Sequence, residues 1–323
     1  MKKILMILTN ARTDCLGIAL ELLTRSGSLL LFDRVVFLLN APRPSHLRFV
    51  DSVVAAHPEV RWDRILGPGT RPEGIARMQN ECVRRYPDSL YLKLDEDVFT
   101  PAGWVDRLVA AYELLKGDDH LGLLSPLIPN NAMGLHILLT RYYPDLLEAF
   151  RLRFGRDPDP TCYGLTWQSP EIGAWATRRF IDLEHANAEQ RRRAAAGSPE
   201  RLHRFPDRFS IGCICYDYRL WKEMGGIPPT DEPGWCAWIQ EHGFFNAMDA
   251  STIVLHYSFF VQQDWLDRTH LLEDIRRANL RDTLPSRASI RYWLPWARRL
   301  AAQAPRAIRR KFAHLMNTRR GRA

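Results

Sequence analysis

Apolar and polar positions alternate in blocks through the first 125 residues, and the blocks predict strands and helices in turn. Ile4-Leu5-Met6-Ile7-Leu8 and Val35-Val36-Phe37-Leu38-Leu39 are short, continuous apolar runs, as in strands buried on both faces. Residues 16–25, 44–57 and 73–85 instead space their apolar side chains at three and four, the period of a helix with one buried face. Further strands are predicted near 60–66 and over 90–94, and an amphipathic helix over 104–116, introduced by Pro101. Such alternation specifies an α/β fold, a mostly parallel sheet flanked by helices. Ligands of open sheets of that kind bind beyond the carboxyl ends of the strands, so Asn10, Asn40 and residues 95–97 are predicted to share one edge.

The pattern changes after residue 128. Residues 129–207 read as a helical insertion, with helices over 136–154 and 175–195, turn punctuation at Gly155 to Pro160 and an arginine cluster at Arg191 to Arg193. A strand over 210–216 follows, then a helix over 220–224, the turn Gly225-Gly226, a helix over 233–242 and a strand over 251–255. The predicted organisation is a first half over 1–125, a second half over 126–283 carrying the insertion, and a tail over 284–323. No internal repeat is visible.

Charge alters this picture only at the end of the chain. The formal charge is +8, yet residues 284–323 hold eleven Lys and Arg and no Asp or Glu, which leaves the preceding 283 residues at about −3. Tyr292, Trp293, Trp296 and Phe312 interleave with Arg298, Arg299, Arg309, Arg310 and Lys311, the composition of a basic amphipathic helix on an anionic membrane surface. Nucleic-acid binding and a solvated tail use the same charges; the membrane reading is preferred and nucleic acid is disfavoured. The six cysteines are scattered without a Cys-x-x-Cys pair, which fits a reducing compartment. The first apolar run is too short for a secretory leader and lacks a cleavage signature. No stretch approaches a membrane span. The expectation is a cytoplasmic protein, peripheral at the inner face of the membrane.

The candidate chemistry centres on Asp95-Glu96-Asp97, reached directly from the strand over 90–94. Hard cations such as Mg²⁺ or Mn²⁺ take oxygen ligands and are shared between one or two carboxylates and substrate phosphates, so a D-x-D at a strand's carboxyl end suggests a nucleoside diphosphate site. Acidic triplets in solvated turns are the plainer alternative.

The order of several pieces resembles nucleotide-sugar glycosyltransferases of the GT-A fold, family 2 in particular. Those pieces are the strand ending at Asn10, the helix Gly74-Ile75-Ala76-Arg77-Met78-Gln79-Asn80, Asp95-Glu96-Asp97 with Pro101 and Trp104, Leu220 to Gly226, Asp231-Glu232, Gly243 and His256. They span about residues 4 to 260 without the insertion. The resemblance implies a GT-A, Rossmann-like sheet and an inverting, metal-dependent transfer of a hexosyl group from a nucleoside diphosphate sugar to a glycan or lipid-linked acceptor. It also implies donor contacts from Asn10, Arg12, Arg77, Asn80, Asp95 and Glu96, and a metal held by Asp97 with Asp95 and His256. A solvated helix face is the alternative for Arg77 and Asn80, and a core histidine for His256. Asp231-Glu232 stands where the resemblance places the base that deprotonates the acceptor hydroxyl. Because Pro233 follows, one of the pair can instead cap a helix; Glu232 is taken as base and Asp231 as cap, although the order is the reverse of the family's usual Glu-Asp. Trp235 and Trp238 could stack on an acceptor sugar or pack in the core, and at least one is taken as an acceptor platform. Asn40 stands where the family usually has an acidic residue, so the nucleotide stays open. Gly67-Pro68-Gly69-Thr70-Arg71 resembles the glycine-rich loop of sugar nucleotidyltransferases but follows the third strand rather than the first, and reads as a turn. A sugar nucleotidyltransferase and a non-catalytic glycan- or RNA-binding protein remain the alternatives.

Overall fold

The computed structural model describes residues 1–280 apart from 71, 198–200 and 260. The first half follows the predicted alternation: β1 (Lys2–Thr9), α1 (Thr13–Arg25), β2 (Arg34–Asn40), α2 (Pro44–Ala56), β3 (Trp62–Gly67), α3 (Glu73–Arg85), β4 (Ser89–Asp95), a short β5 (Val98–Phe99), α4 (Trp104–Leu115) and β6 (Leu121–Leu127). The insertion contributes α5 (Ala132–Ile137), α6 (Pro144–Phe154), α7 (Leu165–Gln168), α8 (Pro170–Arg179), α9 (Leu183–Gly197) and β7 (Leu202–Phe205). Then come β8 (Cys213–Asp217), α10 (Tyr218–Glu223), α11 (Glu232–Glu241), β9 (Phe245–Ile253), β10 (Leu255–His256), α12 (Gln263–Arg268) and α13 (Leu271–Asn279).

Eight strands form one sheet in the order β3-β2-β1-β4-β8-β6-β9-β7. β1 pairs parallel with β2 and β4, β2 with β3, and β6 with β9; β8 runs antiparallel between β4 and β6. The molecule is therefore an α/β fold on a mostly parallel sheet. Its apolar runs are buried apart from Leu8, which is half-buried at the cleft: Ile4, Leu5 and Met6 of β1, Val35 to Leu39 of β2, and Tyr91 and Leu92 of β4 are at 0% exposure. Each such Leu or Ile contributes about 2 kcal/mol when removed from water. β5 and β10 form a separate antiparallel ladder, Leu255 against Phe99 and His256 against Val98. That ladder matters most for the site, because it carries His256 to the acidic turn after β4.

Several predicted elements differ. The helix expected over 136–154 is broken at Tyr143, where Pro144 begins α6 and forces its predecessor out of the helical region (φ −129°, ψ 68°). The helix expected over 175–195 begins earlier, at Pro170 with Ser169 capping Ile172 N–H, and is interrupted between Arg179 and Leu183. β9 begins at Phe245, six residues before the predicted strand. Its Asn246, Asp249, Ser251 and Thr252 interrupt the apolar pattern, and they are buried nonetheless. Asp249 is tolerated at 0% exposure because Arg201 pairs with it at 2.8 Å and Ser251 Oγ donates to it at 2.7 Å. β7, unforeseen in the insertion, pairs antiparallel with β9 and extends the sheet edge.

All six cysteines are free. Among the described residues no helix is long and apolar enough to cross a membrane. The basic segment 284–323 lies outside the described residues.

Candidate active site

β1, β4 and the stretch before β8 end around one cleft of about 480 Å³. Thr9, Asn10, Arg12, Lys93, Asp95, Glu96, Asp97, Asp231, Glu232 and His256 line it, joined by Tyr163, Trp167, Ile211 and Phe259. The predicted sharing of one edge holds for Asn10, Asn40 and residues 95–97, because β1, β2 and β4 run parallel with Thr9 opposite Leu39 and Leu8 opposite Asp95. Asn40 ends β2 at that same edge but outside the cleft lining: its side chain accepts from Gly69 N at 2.8 Å and donates to Thr70 O at 3.2 Å, so it fastens the glycine turn after β3.

The three acidic residues after β4 have three different surroundings. Asp95 N donates to Gly212 O at 2.9 Å, and its Oδ1 lies 2.7 Å from Nζ of Lys93. Lys93 is 2% exposed and also donates to Ile211 O at 3.1 Å. Burial opposes the charge on Lys93, but Asp95 and Asp231 outweigh it and hold the ammonium protonated. Glu96 turns the other way and anchors the turn after β1. Its carboxylate accepts from Thr9 Oγ1 at 2.6 Å and from the N–H groups of Asn10, Arg12 and Ala11 at 3.2, 3.1 and 3.4 Å. Thr9 Oγ1 also meets Nε2 of the buried His46 at 2.8 Å. Asp97 faces His256, Oδ1 to Nε2 at 3.3 Å. Burial pushes Asp97 up, yet His256 prevails and brings its carboxyl below the usual range; burial pushes His256 down, and Asp97 prevails in raising it. Gly212 stands between these groups, where an added Cβ would lie 3.5 Å from Asp95 Oδ2 and 3.6 Å from His256 Cδ2.

Among the described residues no group of three or more His, Cys, Asp or Glu side chains is arranged to hold a metal ion. The donor set of Asp97 and His256, with Asp95 alongside, does fit a divalent cation that completes its shell with substrate oxygens and water. It does not fit a closed protein cage.

Asp231 and Glu232 both line the cleft. Asp231 occupies the residue before α11, but its carboxylate makes no capping bond, contrary to the expected cap. At φ +53° it is turned inward, and Oδ1 accepts from Gln79 Nε2 at 2.8 Å. Burial pushes its carboxyl up to about 6 despite the nearby Lys93 charge. Glu232 has both oxygens engaged, one with Arg208 Nη2 at 3.1 Å and the other with Ile211 N at 3.3 Å.

Four expected contact residues lie elsewhere. Arg77 is on the exposed face of α3; Ile75, with Pro72 just before the helix, lines the cleft instead. Asn80 Oδ1 accepts from Trp221 Nε1 at 2.7 Å and Ile227 N at 2.8 Å, while Nδ2 donates to Ile227 O at 2.8 Å; it secures the Gly225-Gly226 turn. Trp235 is fully buried, edge-on to Tyr216 at 4.8 Å. Trp238 stacks on His242 at 4.3 Å and packs against Phe244. Trp235 serves the core, and Trp238 is half-buried on the flank of α11. Arg12 does line the cleft, held by Asp14 at 2.9 Å and Asp267 at 3.0 Å.

Sequence reasoning missed Lys93, Tyr163, Trp167, Arg208 and Phe259. Lys93 had a signal, a lysine inside an otherwise apolar buried strand. The others had none, because they come from the insertion and the segments beside β8 and β10.

No family model matches this sequence, and no curated protein matches it. Among solved structures the chain is similar to GalNAc-T7 with UDP, GalNAc and Mn²⁺, at 13% identity over 81% of this chain and a TM-score of 0.49. It spans 45% of that protein's length. It is also similar to the mannosyltransferase PcManGT from Pyrobaculum calidifontis in complex with GDP-Man and Mn²⁺, at 14% identity over 98% of this chain and 80% of the other, with a TM-score of 0.47. At such identities and scores the likeness bears on neither substrate nor chemistry, which rest on the cleft itself.

Proposed function

We propose that this protein is a metal-dependent GT-A glycosyltransferase that moves a sugar, with inversion, from a nucleoside diphosphate sugar to a hydroxyl of a glycan or lipid-linked acceptor. The observation that carries the reading is the meeting of Asp95, Asp97 and His256 with Asp231 and Glu232 in one cleft at the carboxyl ends of β1 and β4. Asp97 and His256 would hold Mn²⁺ or Mg²⁺, with Asp95 alongside rather than completing a three-residue ligand set. What the bound cation supplies is positive charge for the leaving diphosphate oxygens. Arg12 and the N–H groups fixed by Glu96 border the donor's end of the cleft.

The acceptor hydroxyl attacks the anomeric carbon from the face opposite the diphosphate. A new C–O bond forms, the bond to the diphosphate breaks, and the hydroxyl proton passes to a carboxylate. Asp231 suits that role better than Glu232, the residue favoured by sequence. A carboxyl raised to about 6 has greater proton affinity near neutral pH, whereas Glu232 is held by Arg208 and a backbone N–H. Glu232 then orients the acceptor. The basic composition of residues 284–323 supports an anionic membrane as the acceptor's setting.

The test is release of free nucleoside diphosphate from UDP-, GDP-, ADP-, CDP- and thymidine diphosphate sugars, with and without Mn²⁺. One donor should be hydrolysed in the presence of metal, and Asp231→Asn should slow the chemistry about 100-fold or more. Pyrophosphate release from a nucleoside triphosphate, or no metal-dependent hydrolysis of any donor, would contradict the proposal. Loss of anionic-liposome binding on deleting residues 284–323 would support the membrane setting, and unchanged binding would remove it.

A further inference from the structure

We propose that Tyr163, presented by the insertion, is a stacking platform for a pyranose ring of the acceptor; this rests on the reading of the cleft as a glycosyltransferase site. Among the described residues it is the one large aromatic side chain that is exposed, at 41%. It lines the same cleft as Asp231 and Glu232.

Its position is built rather than incidental. Tyr163 sits at φ +62°, a conformation unfavourable for a side chain with a Cβ, so the surrounding turn must hold it there. Thr161 N donates to Asp159 Oδ1 at 2.9 Å, Gly164 N to Thr161 O at 2.9 Å, and Gln168 Nε2 to Tyr163 O at 2.9 Å. A Cβ at Gly164 would come within 2.6 Å of Asp159 Oδ2, so the turn closes only around glycine there. The ring is braced as well. Trp167 meets it edge-on at 4.9 Å, and the Arg208 guanidinium lies over it, 4.2 Å from the centroid, with a hydrogen bond to its hydroxyl. The same guanidinium pairs with Glu232 at 3.1 Å. One cation therefore ties an exposed ring to a carboxylate of the proposed chemical centre.

A pyranose has an apolar C–H face and a rim of hydroxyls. An aromatic ring beside carboxylates matches both, the ring taking the C–H face and Glu232 accepting from hydroxyls. Phe259, 6.4 Å from Trp167, continues the aromatic wall toward His256, which it meets at 4.9 Å. A sugar on Tyr163 would thus lie along the wall that leads to the proposed metal position.

The test uses saturation-transfer NMR on the full chain with methyl glycosides of glucose, galactose, mannose and N-acetylglucosamine as probes. Thermal midpoints confirm folding of Tyr163→Ala and Tyr163→Phe, both changes at an exposed position. At least one glycoside should bind wild type, bind Tyr163→Phe comparably, and bind Tyr163→Ala about fivefold more weakly or not at all. Absence of glycoside binding to wild type, or equal binding to Tyr163→Ala, would overturn the platform. Equal losses in both variants would assign recognition to the hydroxyl and overturn it too. Loss of nucleoside diphosphate binding in Tyr163→Ala, with glycoside binding intact, would assign the ring to the donor instead. Metal-dependent nucleotide binding without a Tyr163-dependent glycoside defeats this inference alone, whereas the converse defeats the glycosyltransferase reading and leaves the sugar site standing.

Discussion

Replacing Lys93 with methionine should reveal how strongly the cleft depends on an internal cation. The ammonium is 2% exposed, 2.7 Å from Asp95 Oδ1 and 3.1 Å from Ile211 O. Removing one partner of a buried ion pair typically costs about 3–5 kcal/mol, because the other charge is left desolvated. The Asp95 side chain retains 28% exposure, so water recovers part of that loss, and Lys93→Met should cost about 2 kcal/mol. Asp95→Asn should cost more, about 3 kcal/mol, since it strands the more deeply buried partner. In the double variant neither charge remains, methionine fills most of the lysine volume, and the combined loss should be smaller than the sum by about 2 kcal/mol. Urea unfolding followed by tryptophan fluorescence measures all four proteins. Single losses below about 0.5 kcal/mol, or strictly additive ones, would refute the claim that Lys93 and Asp95 stabilise each other.

Three other outcomes follow from the geometry. Burial lowers His46 to about 4, so unfolded protein takes up a proton below about 6.5 that native protein refuses, and stability contributed by His46 falls as pH drops from about 6.5 to 4 at up to about 1.4 kcal/mol per pH unit. Asp231, raised to about 6, acts oppositely between about pH 6 and 4; His46→Gln should therefore tilt the urea midpoint upward with acid and Asp231→Asn downward, and identical profiles would defeat both assignments. Glu96→Gln should cost about 2 kcal/mol and speed amide exchange at residues 10–12, because the charged acceptor of those N–H groups is lost; unaltered exchange there would count against the anchor. Asn80→Ala removes three hydrogen bonds and should lower stability by about 2–3 kcal/mol; a loss under about 0.5 kcal/mol would deny its role in fixing the turn at Ile227.

The first half of the fold was readable because its signals are local. β1 and β2 are built on continuous apolar runs and β4 on one broken only by Lys93, and α3 has the predicted bounds, Glu73–Arg85. β9 was obscured because Asp249, Asn246 and Thr252 are buried in it, and their partners come from far along the chain or from turns no period reveals. Within the cleft the acidic residues were visible as a motif, but their division of labour was not. Glu96 turns to the β1 loop, Asp95 to Lys93 and Asp97 to His256, and only the pairing of β5 with β10 and the antiparallel placement of β8 decide that. The two tryptophans of α11 show the opposite failure, a spacing compatible with two roles whose choice depends on which face meets the sheet. Tyr163 was beyond reach, since it enters the cleft from an insertion with no periodic link to it.

The most direct test of the central claim is a thermal-unfolding titration of wild type and Asp97→Ala with UDP, GDP, ADP, CDP and thymidine diphosphate, each with and without Mn²⁺. At a ligand concentration about 100 times the dissociation constant, binding to the native state adds about 2.7 kcal/mol, which for a chain of this size raises the midpoint by roughly 5 °C. The account predicts such a rise for at least one nucleotide, dependent on Mn²⁺ and absent in Asp97→Ala. A nucleotide shift indifferent to both metal and Asp97, or no shift with any of the five, would contradict it.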